Sequence, residues 1–348
     1  MRRRYRLCRR GETAMVGQTL RTASVVTALC LAPMLNVLSA GRTAAAEEWN
    51  FYMHQSAPNF PTSRGAQRFA EEIEKATNGE LKIRLHLAGT LQINASNITQ
   101  AVGENVVQIA DDLFNSGNIV VAGVPRLPML IQTYDDFTKA DAVLKPYLEK
   151  AFAQKGVTLL ASYTYPLQFV WGRKKIESLE DIKGLKFRVA QPEQGEFVRR
   201  FGGTSITMSA PEVPSALDRG VVDGVFTAGV GAVLWKDLLK YGYVMIINVN
   251  NSYFIANTEA FNKLSPELQA KVRQVAQDSA RWDQETMQKE EAESVQTLTA
   301  MGYTFTKGTP DDTTRAVNAM KPYWDEWASS RGPEVVEALG KVRTALGR

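Results

Sequence analysis

The sequence predicts an α/β protein whose sheets are covered by helices and whose two domains are braced by one long helix. Three observations carry this. Strand-like and helix-like segments alternate along most of the chain, the rhythm of parallel-type sheets with crossover helices. After Ser265-Pro266-Glu267 no Pro or Gly interrupts the chain through Met301, a helix of roughly 50 Å at ~1.5 Å per residue, too long for one domain of this size. With 348 residues at 44% hydrophobic and 22% charged, the chain has enough apolar side chains for one large or two ordinary cores, which excludes disordered and fibrous classes.

Each element has its own signal. Residues 49–54 are a short apolar run. Pro61-Thr62-Ser63 opens a helix over 64–77, where Ala66, Phe69, Ala70 and Ile73 recur at helical spacing before Gly79 stops it. Residues 81–87 alternate Leu81, Ile83, Leu85 and Leu87 with Lys82, Arg84 and His86, a strand with one wet face that leaves His86 toward solvent. A helix near 94–102, a strand at 106–110, a helix over 135–153 and strands at 157–163 and 169–172 continue the rhythm. Ser178 and Asp181 have capping spacing, 186–189 is a strand, and 192–201 a helix. Ser209-Ala210-Pro211-Glu212 caps another helix before a strand at 222–226. Ser265 caps the long helix, with Pro266 in its first turn and Glu267 at the positive end of its dipole. A strand at 303–306, a helix capped by Thr309 and running through Trp327, and a last helix from about Pro333 complete the chain.

The first 46 residues read as an export signal. They hold eight Arg and one acid, Glu12, and the apolar stretch 23–32 is followed by Ala44-Ala45-Ala46, a small-residue cleavage site that places the mature start near Glu47. An uncleaved anchor is the alternative, although Pro33 and Asn36 make it a poor membrane span. Removing eight and one from the 41 basic and 37 acidic residues leaves 33 and 36, a net charge of −3, so no nucleic-acid surface is expected. Both cysteines, Cys8 and Cys30, fall in the leader. The mature chain therefore offers no disulfide or thiolate chemistry, and with only His54 and His86 no zinc site or other cofactor is expected. HExxH, GxSxG, Walker A and GxGxxG motifs are absent from the sequence, so enzymatic classes start low.

Residues 179–203, LEDIKGLKFRVAQPEQGEFVRRFGG, and 206–227, ITMSAPEVPSALDRGVVDGVFT, carry a resemblance. The run D-x-x-G-x-K-x-R-V at Asp181 to Val189, then M-x-x-x-E-V-x-x-A-L-x-x-G-x-V-D-G at Met208 to Gly224, resembles the substrate-binding subunits of tripartite ATP-independent periplasmic (TRAP) transporters, DctP type. The likeness extends over nearly all of the mature chain. It implies a two-domain periplasmic binding protein fold with mixed sheets flanked by helices and an inter-domain cleft. Domain I would be 47–166 plus 253–290, and domain II 167–252 plus 291–348. It also implies a small organic acid as ligand, integral membrane subunits as partners, and no catalysis.

Arg188 is the leading site residue. It stands at the end of a predicted strand just before a helix, the ligand-facing rim of an open α/β sheet, and its planar fork matches a carboxylate in two parallel hydrogen bonds. The resemblance implies that role for it. Thr227 falls where many family members place an Asn. Gln168 falls where sialic-acid binders place a second arginine, which argues against a two-arginine clamp. His54 and Gln55 end the first strand, with a structural histidine as the alternative reading of His54. Asp112, beside Asp111, could take a ligand hydroxyl or ammonium or simply be solvated. Trp171, Phe226 and Trp235 could wall an apolar ligand or belong to the core. Gly184, Gly220, Asp223, Gly224 and Glu212 read as architecture. One Arg and several aromatics lean toward a small monocarboxylate, aromatic or branched. An ATP-driven importer's binding protein and a periplasmic enzyme working through His54 and Asp112 are the rival readings. A monomer is expected, with a dimer left open.

Overall fold

A computed structural model describes residues 46–208 and 210–348, without the side chain of Pro211. The expected leader, but for Ala46, and the expected cap at Ser209 lie outside the described residues. Along the chain, β1 (Glu47–Met53) leads through α1 (Pro61–Ala76) to β2 (Leu81–Leu87), α2 (Ile98–Gly103) and β3 (Ile109–Asp112). A 3-10 segment, Val120–Arg126, then precedes α3 (Tyr134–Ala153) and β4 (Val157–Thr164). There follow β5 (Gln168–Gly172), β6 (Lys186–Val189), α4 (Pro192–Arg200), β7 (Thr204–Thr207), α5 (Val213–Asp218), β8 (Gly224–Thr227), α6 (Gly229–Ala232) and β9 (Tyr241–Asn248). The last part comprises β10 (Asn251–Asn257), α7 (Thr258–Lys263), α8 (Pro266–Ala300), β11 (Thr304–Lys307), α9 (Pro310–Ser329) and α10 (Pro333–Leu346).

The strands form two mixed sheets, ordered β2-β1-β3-β10-β4 and β11-β9-β5-β8-β6-β7. The chain passes from the first sheet to the second between β4 and β5 and returns between β9 and β10, through connections too short to hold a crossover helix. These two passages run in opposite directions and are bonded to each other, Tyr165 N donating to Asn250 O at 2.8 Å. Hence β10 lies antiparallel to β3 and β4, and β5 antiparallel to β8 and β9, inside what the alternation alone reads as parallel sheets.

Apolar residues bury on three surfaces. One core packs α1, α7 and α8 against one face of the first sheet through Phe51, Phe69 and Phe254. Another joins α5, α6 and the end of α8 to one face of the second sheet through Phe169, Trp171 and Leu298. The remaining faces of both sheets share a continuous core with α3, α4, α9 and α10, including Tyr253, Phe187, Phe226, Met320 and Trp324.

The long helix is real and well started. Ser265 Oγ accepts from Leu268 N at 3.2 Å, and 35 residues follow. Its first half packs on α1 and β4, and its later part meets α6, where Glu291 accepts from Gly229 N at 2.7 Å and Val230 N at 2.9 Å. Helix α9 starts on the expected Thr309 capping box and returns toward the first sheet: Trp324 Nε1 donates to Pro128 O at 2.8 Å. Trp327 lies against Gly123, where an added Cβ would stand 2.6 Å from its ring, so only glycine lets the ring seat there. Helix α10 packs on α3.

Two expectations are testable here. Gly123→Ala forces Trp327 off its seat, and overpacking of this kind costs about 1–3 kcal/mol; a chemical denaturation midpoint no lower than the parent's would contradict this. Asp283 of α8 is fully buried over Gly65 with both carboxyl oxygens unpaired, and burial raises its pKa well above the carboxylate range. Because the folded value exceeds the unfolded one of ~3.9, its contribution is complete below about pH 4 and is lost as the pH rises toward the folded value. Asp283→Asn removes that loss: it should leave the melting temperature at pH 4 unchanged and raise it at pH 8, whereas an equal shift at both would show that Asp283 does not titrate in this range.

Candidate functional site

The rims of the two sheets meet where the chain passes between them. On the second sheet, the ends of β6, β8 and β9 and the start of β5 lie together: Phe169 pairs with Thr227, Gln168 with Asn248, and Arg188 with Val225. On the first, the ends of β1, β3 and β4 and the start of β10 do the same, Met53 pairing with Asp111 and Asn251 with Thr164. His54 and Gln55 follow β1 directly. Arg188, Gln168, Thr227, His54, Gln55 and Asp112, nominated from sequence, therefore come from these two rims, whereas Trp235 lies in a 3-10 turn beyond β8.

Arg188 is 6% exposed. Its Nε donates to Met208 O at 3.0 Å and its Nη1 to Phe226 O at 3.4 Å, and the guanidinium stands 5.6 Å from the Trp235 ring centre. Burial lowers its pKa to about 10, opposed by the nearby charge of Glu212, so it remains a cation at neutral pH. The hydrogen bonds of this buried cation end on neutral carbonyls, which orient it, and Glu212 is the carboxylate whose charge acts on it. A buried, oriented guanidinium is the chemistry of an anion site.

Around it, Gln168 is buried and donates from Nε2 to Pro166 O at 2.7 Å, while Thr227 lines the same rim with Gly231 close over its hydroxyl. Trp235 is nearly buried and supplies the aromatic face. Phe226 does not face this site, and Trp171, although on the same face of the sheet as Arg188, is packed away from solvent. Trp171 is fully buried between Phe169, Tyr303 and Phe305, with its indole N–H on Thr227 O at 3.1 Å. Phe226 follows Val225, which pairs with Arg188, so strand alternation turns its ring to the opposite face, edge-on to Phe187. Both are packing residues, and only the Phe226 carbonyl reaches Arg188.

The first-sheet rim differs more from expectation. His54 Nδ1 lies 3.2 Å from Asp111 O and Nε2 lies 2.8 Å from Tyr165 Oη, and burial depresses its pKa to about 4. Its imidazole is neutral at pH 7 with both nitrogens engaged. Gln55 folds back, Oε1 accepting from Ser56 N and Ala57 N at 2.9 and 3.1 Å. Asp111 and Asp112 are buried rather than solvated. Asp111 accepts from Ser252 Oγ and Tyr163 Oη, Asp112 from Thr99 Oγ1 and Phe114 N, and burial raises both to about 7. The pairing of His54 with Asp112 is not formed; His54 sits beside Asp111. His86, expected in solvent, is half-buried and bonds Asn50 Oδ1 at 2.8 Å.

Sequence reasoning missed Arg126. Its guanidinium is wholly buried, with Nε on Asn251 Oδ1 at 2.7 Å and Nη2 on Leu113 O and Asn251 O at 2.6 and 2.7 Å. The available signal was a lone charge in the uncharged apolar stretch 119–131. Among the described residues no cluster of three or more His, Cys, Asp or Glu is placed to hold a metal ion.

The family described as bacterial extracellular solute-binding protein, family 7 (DctP), matches residues 52–330. A solute-binding protein of Chromohalobacter salexigens is 22% identical over 336 residues, covering 94% of this chain and 98% of its own. The C4-dicarboxylate-binding periplasmic protein DctP of Rhodobacter capsulatus is 24% identical over 302 residues, 84% of this chain and 90% of its own. Among solved structures, DctP7, a Bordetella pertussis extracytoplasmic solute receptor binding pyroglutamic acid, superposes with a TM-score of 0.78 at 24% identity, covering 86% of this chain and 100% of that one. A TRAP periplasmic solute-binding protein of C. salexigens with bound D-glucuronate gives a TM-score of 0.78 at 18% identity, covering 85% and 99%. These likenesses show a shared fold. With the family match spanning most of the sequence and the two-sheet architecture in agreement, the chain belongs to the DctP family of bacterial extracellular solute-binding proteins.

Proposed function

We propose that this chain is exported, cleaved near Glu47, and captures a small organic acid in the cleft between the two sheet rims for delivery to the membrane subunits of a TRAP transporter. The observation that carries the ligand class is Arg188, a buried cation held by neutral carbonyls. Its fork receives the carboxylate, Gln168 and Thr227 lie beside it, and Trp235 offers a flat face to the remainder. The solutes named for similar proteins, pyroglutamate, D-glucuronate and C4-dicarboxylates, have a carboxylate in common. The neutral His54 and the buried Asp112 act as rim architecture, which supports binding without turnover.

Domain I, 47–166 plus 253–290, and domain II, 167–252 plus 291–348, would close about the two passages, taking the Arg188 pair further from water, where it is stronger. The protein acts as a monomer in this reading.

Two outcomes follow. In titration calorimetry against mono-, di-, keto-, hydroxy, aromatic and sugar acids, one class binds; Arg188→Ala weakens it by ~10²-fold or more, as loss of one partner of a buried charge pair does, and Arg188→Lys falls between because it lacks the fork. A hit held with unchanged affinity by Arg188→Ala would remove the carboxylate anchor. Expressed with its leader in a Gram-negative host, the chain should appear in the periplasmic fraction with a mature N-terminus near Glu47. Retention of the leader in the membrane fraction would favour the anchor reading instead.

A further inference from the structure

Buried hydrogen-bonding atoms are paired in the great majority of cases, and four side chains near the crossing are not. Asn115 Oδ1, Gln191 Nε2, Glu193 Oε2 and Asn250 Oδ1 are out of solvent and have no partner among the described residues. They are linked to one another through hydrogen bonds and chain neighbours. Gln191 caps α4 three residues beyond Arg188, its side-chain oxygen taken by the Gln194 backbone. Gln194 Nε2 donates to Asn248 Oδ1 at 3.0 Å, two residues before Asn250. Asn251, next along the chain, is held by Arg126, which also reaches Ser116 Oγ beside Asn115 at 3.5 Å. Glu193 is close enough for its charge to act on Arg126.

The bonding these groups already have fixes what each still lacks. Asn115 Nδ2 donates to Asp112 O at 2.6 Å, leaving the amide oxygen unpaired. Trp327 Nε1 takes the other Glu193 oxygen at 3.3 Å. Asn115 and Glu193 are thus acceptors waiting for donors, and Gln191 Nε2 is a donor waiting for an acceptor. A hydrocarbon acid would satisfy Arg188 and leave all of these as they are.

We infer that the solute is an acid that also donates hydrogen bonds, through a lactam-type N–H or a hydroxyl, which Glu193 and Asn115 accept while Gln191 donates to an oxygen of the same solute. The inference rests on the carboxylate reading of Arg188 and narrows it. It disfavours the purely aromatic or branched hydrocarbon acids toward which the sequence leaned. Sites built to bond a polar group discriminate strongly against analogues that lack it, because their own buried groups are left unpaired.

The test is calorimetry on the exported protein with matched pairs of acids: pyroglutamate and 5-oxotetrahydrofuran-2-carboxylate, in which the lactam N–H becomes a ring oxygen; lactate and propionate; mandelate and phenylacetate. The first pair probes an N–H and the others a hydroxyl. We expect the donor-bearing member of at least one pair to bind at least tenfold tighter than its partner, and the isosteric Glu193→Gln to narrow that ratio at least threefold. Partners that bind within tenfold of each other in every pair, or a ratio kept intact in Glu193→Gln, would overturn the inference while leaving the carboxylate anchor standing. Should Glu193→Gln fail to fold, Asn115→Ser serves with the same criteria. No acid bound at all, in the pairs or the wider panel, would sink the carboxylate reading itself, and this inference with it.

Discussion

The guanidinium of Arg188 is almost wholly out of water, and its hydrogen bonds end on carbonyl oxygens that orient it. Burial makes the charged form less favourable, as the lowered pKa of about 10 records, yet leaves it protonated at neutral pH. In such surroundings an incoming anion interacts far more strongly than it would at the surface. The second sheet supplies what this needs. Strand β6 runs between β7 and β8, so the carbonyls of Met208 and Phe226 reach the fork from either side, and the face shared with Val225 turns it toward Trp235.

The rim that presents Arg188 exists because two short strand connections, β4 to β5 and β9 to β10, pass side by side between the sheets. Backbone groups at such a passage leave the sheet ladders and must find other partners. Polar side chains provide them: Thr164 Oγ1 donates to Asn250 O at 3.3 Å, Asn251 Nδ2 to Ala122 O at 3.1 Å, and Arg126 to Asn251 O. The amide-rich composition of residues 248–251 and the buried cation at 126 are consequences of this topology.

The long helix ties the same region to the far side of the first sheet. Arg64 of α1 pairs with Glu290, and the adjacent Glu291 holds the backbone of Gly229 and Val230. Those residues follow β8 three and four positions after Phe226, whose carbonyl orients Arg188. On the opposite face, Trp327 joins Gly123 of the 3-10 segment to Glu193 of α4. The strand and helix around the arginine are thereby gripped from two directions by elements that also pack on the first sheet.

How much of this was legible in the sequence follows from the range of the forces involved. Helix starts at Ser265 and Thr309, the alternation of 81–87, and the place of Arg188 between a short strand and a proline-led helix depend on contacts within a few residues, and the sequence alone determined them. Strands β7, β9 and β10 went unread. Residues 241–257 form a largely apolar run with no clean period, and their partners β3, β4 and β5 lie about seventy or more residues upstream. The site divided in the same way. Arg188 could be named, but that Trp171 and Phe226 turn into cores, that His54 rests on Asp111 rather than Asp112, and that Arg126 is buried against Asn251 were settled only when distant strands came into register. Local sequence fixes which atoms a residue offers; only the tertiary structure decides which of them are taken out of water and left to find a partner.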